Sequence, residues 1–154
     1  TTSTLNNKKT VHAWTMFDWA NSAYALVIST AIFPGYFEQF SPKEITLFNF
    51  SVTNTALYSF SVSIAYIIIA GLSPLLSGIA DSSGRRMFFL KFFTALGSVA
   101  CASLFWFRGE ADVMFATSAF VIATIGFAGS LVFYDSYLPL IVTEDRYNVV
   151  SARG

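Results

Sequence analysis

PLLSGIADSSGRRMFFLKFF, residues 74–93, decides the fold. A long apolar run stops, presents Asp81, Gly84, Arg85 and Arg86 within six residues, and then resumes. One acid and two arginines between apolar runs of this length read as a tight polar hairpin joining two helices that cross a membrane.

The rest of the chain agrees. Of its 154 residues 55% are hydrophobic and only 12% charged, with a mean hydropathy of +0.59. Soluble domains carry about 25% charged residues, so a water-facing surface is not what this composition builds. Seventeen Phe and seven Tyr point further towards lipid. The net charge of zero gives no electrostatic basis for binding nucleic acid. Cys101 is the single cysteine and lies in an apolar run, where an inert buried thiol is the simple reading. The single histidine, His12, stands in the polar start of the chain. With no metal cluster and no nucleophile–base set, no metal, no cofactor, no catalytic residue and no enzyme activity are expected.

Four apolar segments cover about 14–37, 55–77, 87–107 and 113–141. Each has about 20 residues or more, which at about 1.5 Å per residue matches a hydrocarbon core of roughly 30 Å. Backbone amides in lipid need internal partners, so these segments should be helices and strand content should be near zero. The first is no signal peptide, because it is long, contains Asp18 and Asn21, and precedes no small-residue cleavage pattern. The expected organisation is a cytoplasmic segment 1–13, a four-helix membrane region 14–141 and a cytoplasmic segment 142–154. The fold class is therefore all-α, a polytopic membrane protein of about four transmembrane helices.

Charge orients it. With the N-terminus cytoplasmic, Lys8, Lys9, Arg85, Arg86, Lys91, Arg146 and Arg153 lie inside and only Lys43 and Arg108 outside. That bias follows the positive-inside rule, and Trp14, Trp19 and Trp106 fall where interfacial aromatics are expected. In the hairpin, Asp81 follows the negative end of helix two while Arg85 and Arg86 open the positive end of helix three, each unfavourable by about 0.3–1 kcal/mol. One explanation is that Asp81, Ser82 or Ser83 caps helix three while the arginines meet anionic headgroups. The other is a latch, in which the acid and the bases pair with each other and with a further cytoplasmic element.

Gly-Ile-Ala-Asp-Ser-Ser-Gly-Arg-Arg, 78–86, resembles the loop that major facilitator superfamily transporters carry between helices two and three, Gly-x-x-x-Asp-x-x-Gly-Arg-Lys/Arg. Asp81, Gly84, Arg85 and Arg86 match in register, whereas Ser77 holds the place of the first glycine. Trp-Thr-Met-Phe-Asp-Trp-Ala-Asn-Ser-Ala-Tyr, 14–24, with Ala-Ile-Phe-Pro-Gly-Tyr-Phe, 31–37, resembles the first helix of the vacuole-effluxer-like permeases. Phe-Tyr-Asp-Ser-Tyr-Leu-Pro, 133–139, resembles that branch's fourth-helix ending, with Asp135 where asparagine is usual, and the C-terminus looks like the lead-in to a fifth helix.

The resemblance implies one part of a twelve-helix fold working by alternating access, with the lipid bilayer, the remaining helices and a small polar solute as partners. Fungal members are linked to amino-acid efflux from the vacuole, so an amino acid is the implied substrate class. The implied membrane is a bacterial inner membrane or a fungal vacuolar one. Hairpin residues 81 and 84–86 would form the gating loop. A chain without an initiating Met that stops at Gly154 reads as processed, truncated or partial. The rival reading is a non-transporting membrane subunit, a degenerate fragment with a structural role in a larger assembly; a gene that continues for about eight hydrophobic segments would decide against it.

Inside the membrane, Asp18, Asn21, Ser22, Ala25 and Ser29 share one face of helix one. Ser59, Ser63, Tyr66, Ala70 and Ser73 form a weaker stripe on helix two. Small-residue packing explains serines without any substrate, but packing does not require a carboxylate, so Asp18 with Asn21 points to a cavity. Helix four runs opposite to helix one, which brings Asp135 to the depth of Asp18. Asp18, Asn21, Ser22 and Asp135 are the expected substrate or proton path, unless the two acids merely reach headgroups or Asp135 bonds Tyr134 or Tyr137. Pro34 and Pro74 are expected to bend their helices. Asn49-Phe50-Ser51 matches a glycosylation sequon, a short pattern of little weight.

Overall fold

The computed structural model describes residues 5–47 and 50–152. Asn49 of the sequon and Arg153 lie outside the described residues. The chain begins with α1 (Lys8–Ala23), whose first turn is capped by Asn7, the side-chain oxygen accepting from the Lys9 N–H at 2.9 Å. It runs on through a π-helical stretch, Tyr24–Ile32, into α2 (Phe33–Phe40). Then come a hairpin of β1 (Glu44–Leu47) and β2 (Phe50–Thr53), the long α3 (Asn54–Ser83), and α4 (Arg86–Ser103). α5 (Val113–Asp135) follows, and the short α6 (Leu138–Ile141) and α7 (Tyr147–Ser151) close the chain.

Among the described residues three helices are long and apolar enough to cross a membrane: Asn54–Ser82, Arg86–Trp106 and Glu110–Ile141. The first apolar segment differs, because it is helical over 8–40 but not one α-helix. Two side chains account for the wider register. The Thr30 hydroxyl donates to the Ala25 carbonyl at 2.6 Å and the Leu26 carbonyl at 2.9 Å, competing with the backbone ladder. In π register the Phe33 N–H bonds the Ile28 carbonyl. Pro34, next in line, has no N–H for the Ser29 carbonyl, and the Tyr58 hydroxyl donates there at 2.5 Å instead. Pro34 thus sits at the start of α2 as a register-setter, and the orphan carbonyl it leaves ties this segment to α3.

The expectation of near-zero strand content is corrected by the hairpin. β1 and β2 pair antiparallel, Glu44 opposite Thr53 and Leu47 opposite Phe50. The segment lies between the ends of two helices, and Ile45, Thr46, Val52 and Thr53 favour the extended backbone.

The packing has three centres. At one end Phe33, Phe37, Leu57, Phe107, Val113, Ala116 and Phe120 form a cluster, with Phe33 stacked on Phe120 at 4.6 Å. Ile69, Ala80, Phe93, Ala128 and Phe133 form the second. Between them α4 and α5 cross in near backbone contact, since a Cβ added at Gly126 would lie 2.4 Å from the Gly97 Cα. The third, Ile141, Val142 and Val150 with Val11 and Trp14, packs the start of α1 against the segment after α5. There the Asn6 amide donates to the Thr143 hydroxyl at 3.1 Å and the Asn6 N–H to the Ile141 carbonyl at 2.8 Å.

Candidate functional site

At the hairpin, α3 runs six residues beyond its apolar segment, so Asp81 lies in its last turn rather than after it. Gly84 ends the helix at φ 64°, the left-handed region that glycine enters without a Cβ penalty. The N–H groups of Gly84 and Arg85 both return to the Ala80 carbonyl. α4 then starts from Arg85 with no side-chain cap. Ser82 bonds the Ile79 carbonyl and Asp81 bonds Arg86 instead, so capping by Asp81 or Ser82 is corrected. The Ser83 side chain lies outside what the structure describes. Arg86 does the joining. Its Nε donates to Asp81 Oδ1 at 2.7 Å and its Nη1 to the Ser136 carbonyl at the end of α5, at 3.1 Å. A planar guanidinium can serve both at once, where a lysine ammonium is a single point charge. Arg85 is exposed and makes no ion pair among the described residues.

One turn inward, α1 meets the end of α5. The Trp14 ring stacks on Tyr134 with centroids 4.3 Å apart, Phe17 stacks on it at 5.2 Å, and Trp14 Nε1 donates to the Tyr134 carbonyl at 3.3 Å. Trp14 is therefore a packing residue, while Trp19 and Trp106 are exposed at 71% and 62%. Asp18 follows Phe17 and Asp135 follows Tyr134, so this stack brings both acids to one end of the bundle. Asp18 is half-buried and Asp135 exposed. The alternative hydrogen bond from Tyr134 to Asp135 is absent: the Tyr134 hydroxyl is buried without a partner.

Deeper, α1, the π stretch, α4 and α5 surround a cavity of about 500 Å3. Asn21 lines it, and the Asn21 Nδ2 is buried with no partner. Cys101, Ser98 and Ser130 form part of the wall, as does Tyr24, whose hydroxyl pairs with Thr124 at 2.8 Å. Ser22 is half-buried off this wall, so the expected face of helix one divides: Asn21 meets the cavity and Ser22 does not. The helix-two stripe does not line the cavity, and only Ser73 of the five is half-buried. Ser59 and Ser63 are exposed and bond carbonyls of their own helix. Among the described residues no three His, Cys, Asp or Glu gather as metal ligands.

Sequence reasoning missed the Gly97–Gly126 crossing, the Tyr24–Thr124 bond and the Asn6–Thr143 contact. Only the first left a signal, the run Ala116, Ala119, Ala123, Gly126 and Ser130 at helical spacing.

The sequence model of the family described as vacuole effluxer Atg22 like matches residues 6–152. The chain belongs to the vacuole effluxer Atg22-like family. Among curated proteins it is 34% identical over 146 residues to the "Uncharacterized MFS-type transporter YxiO" of Bacillus subtilis (strain 168). That match covers 95% of this chain and 33% of the relative, so the chain spans about a third of the relative's length. No solved structure matches it. Membership makes this effluxer-like chain an integral membrane protein of a transporter family. The stretches 14–24, 31–37, 78–86 and 133–139 that carried the resemblance all lie within the matched region.

Proposed function

We propose that the chain is the N-terminal part of a secondary transporter that moves a small polar solute, an amino acid being the class in view, by alternating access. One observation carries the polar solute: the Asn21 Nδ2 is buried, unpartnered and at the wall of a cavity that is otherwise largely apolar. Burying an amide without a hydrogen bond costs about 1–3 kcal/mol, a cost that a passing polar solute would offset. Asp18 and Asp135 stand at the mouth of that route and Asn21 along it, with Ser22 on the neighbouring face of the same helix.

Asp81, Gly84, Arg85 and Arg86 act as the gate. Arg86 holds α3 and α5 together through one exposed and one part-buried polar contact, which can break and re-form as helix ends shift. The N-terminus faces the cytoplasm in this reading. Lys8, Lys9, Arg85, Arg86 and Arg146 share the end where α1 begins, and Lys43 and Arg108 lie at the other.

The test is solute flux by the intact transporter carrying Asn21→Leu, which fills the space without offering a donor. Flux lost with insertion intact supports the reading. Flux unchanged removes Asn21 from the path, and no flux from the wild-type protein favours the structural-subunit alternative.

A further inference from the structure

The π stretch Tyr24–Ile32 joins a cavity-lining helix to an anchored one. On one side Phe17, Ala20, Asn21 and Tyr24 stand at helical spacing on the cavity wall. On the other, Phe33 and Phe37 are buried with Phe107 and Phe120, so α2 is held in place. Between them none of the nine residues is buried, although Ile28 leans on that cluster. Packing alone does not fix a stretch this open; its hydrogen bonds do.

The Ser29 carbonyl is where the two registers part. In an α-helix it would accept from the Phe33 N–H, four residues on. Here that N–H bonds the Ile28 carbonyl, and Pro34, five residues on from Ser29, has no N–H to offer. A carbonyl left without a donor is costly in lipid. The Tyr58 hydroxyl removes that cost by donating to the Ser29 carbonyl at 2.5 Å. This donor belongs to another helix, α3, and it is well placed. The Tyr58 ring packs on Phe33 and Phe120 with centroids 6.2 and 5.2 Å away. Thr30 adds a local pull, its hydroxyl bonding the Ala25 and Leu26 carbonyls.

We propose that Tyr58 is a positioning residue: its hydroxyl selects the π register, and that register aims Asn21 and Tyr24 at the cavity. Without the hydroxyl, the Phe33 N–H regains the Ser29 carbonyl and the stretch returns towards α register. One residue of register turns a helix by about 100°. Because α2 is anchored, the turn falls on α1 and carries Asn21 off the cavity wall. It exchanges the Tyr24–Thr124 bond and the Trp14 stack on Tyr134 for a continuous α ladder. The inference rests on reading Asn21 as part of the solute path and names what holds it there. α3 also carries Asp81 in its last turn, so the helix that bears part of the gate sets the face that α1 presents.

The test is distance measurement between paired spin labels on the intact transporter, its native cysteines, Cys101 among them, replaced by serine. Labels at Met16 on α1 and Val99 on α4, both exposed, read the turn. Labels at Phe92 on α4 and Met114 on α5 read a pair that the register does not touch. A side chain reaches about 5–6 Å from its helix axis. The first distance should therefore move by several ångströms in Tyr58→Phe while the second stays. Tyr36→Phe controls for simple loss of stability. Its hydroxyl also donates to a carbonyl, that of Phe107 at 3.3 Å, but outside the stretch, so neither distance should move. Thr30→Val removes the second hydroxyl and keeps the shape. It should move the first distance in the same direction, which keeps the register readable where Tyr58→Phe does not fold. An unmoved first distance in Tyr58→Phe, or in Thr30→Val where Tyr58→Phe does not fold, overturns the proposal. So does an equal shift in Tyr36→Phe. No step of the test measures flux, so its failure is separate from failure of the transport reading.

Discussion

Arg86 shows how little energy the contact proposed as the gate contributes to stability. Asp81, its partner, has a side chain 55% exposed, and ion pairs of that kind contribute about 0–1 kcal/mol. Asp81→Asn should therefore change the unfolding free energy by less than about 1 kcal/mol while slowing transport severalfold. Thermal melting and flux measured on the same preparation check both halves; unchanged flux would remove the latch from the mechanism. Arg86→Lys is the sharper probe. An ammonium can hold Asp81 or the Ser136 carbonyl but lacks the fork that holds both, so the lysine variant should behave like Asp81→Asn rather than like the wild type. The four hairpin residues were legible in the sequence because charge between apolar runs is conspicuous. The Ser136 carbonyl was not, since a backbone acceptor leaves no mark on residue type. Asp18 and Asp135 were legible as acids at one depth. That a buried tyrosine would stack on Trp14 and Phe17 beside them depended on the rotation of α1, which residue type alone does not set.

At the scale of elements, apolar length alone located the segments, but not how each would be built. Nothing in the hydrophobic pattern of 24–32 announces a π register; the cause is a hydroxyl at Thr30 and a missing N–H at Pro34, each of which has simpler uses elsewhere. Tyr58→Phe should leave the Ser29 carbonyl without its donor and cost about 1 kcal/mol, measured as a lower midpoint in denaturant. The α4–α5 crossing makes a larger claim. At Gly126 an added methyl meets the Gly97 Cα and N at 2.4 Å and the Phe93 carbonyl at 2.8 Å, all backbone, so the helices themselves must move apart. Gly126→Ala should destabilise by about 1–3 kcal/mol or more, the range for overpacking. Gly35→Ala meets nothing within 4 Å and should not destabilise at all. Equal melting of the two variants would show that α4 and α5 do not cross as closely as described. The hairpin of β1 and β2 was also readable in hindsight. The alternation in Glu-Ile-Thr-Leu and Phe-Ser-Val-Thr is a strand pattern, and the rule that excludes strands does not reach it because that rule applies only within the hydrocarbon.

For the whole molecule, the surfaces left open carry the weight. α3 presents Phe60, Ile64, Ile67, Leu72 and Leu75 outward, and only 11% of its most apolar window is buried inside the fold. In water that face would drive aggregation; in a membrane it meets lipid or further helices, so the four helical segments are a stable arrangement only there. Insertion should succeed for these 154 residues alone, because each apolar segment partitions on its own length and composition. Transport should not. The cavity at Asn21 has walls from α1, the π stretch, α4 and α5, and among the described residues no further element lines it. Alternating access needs a path closed on all sides and opened at one end at a time. The chain spans a third of the relative it matches, leaving most of such an enclosure to the rest of that length. Liposomes containing only these residues should therefore hold protease-protected helices, with single cysteines at positions 8 and 146 labelled from one side and at 43 from the other. They should show no solute flux above protein-free vesicles. Flux from this chain alone would mean that copies of it enclose a path between them, and the exposed face of α3 would then be the first surface to search for the contact.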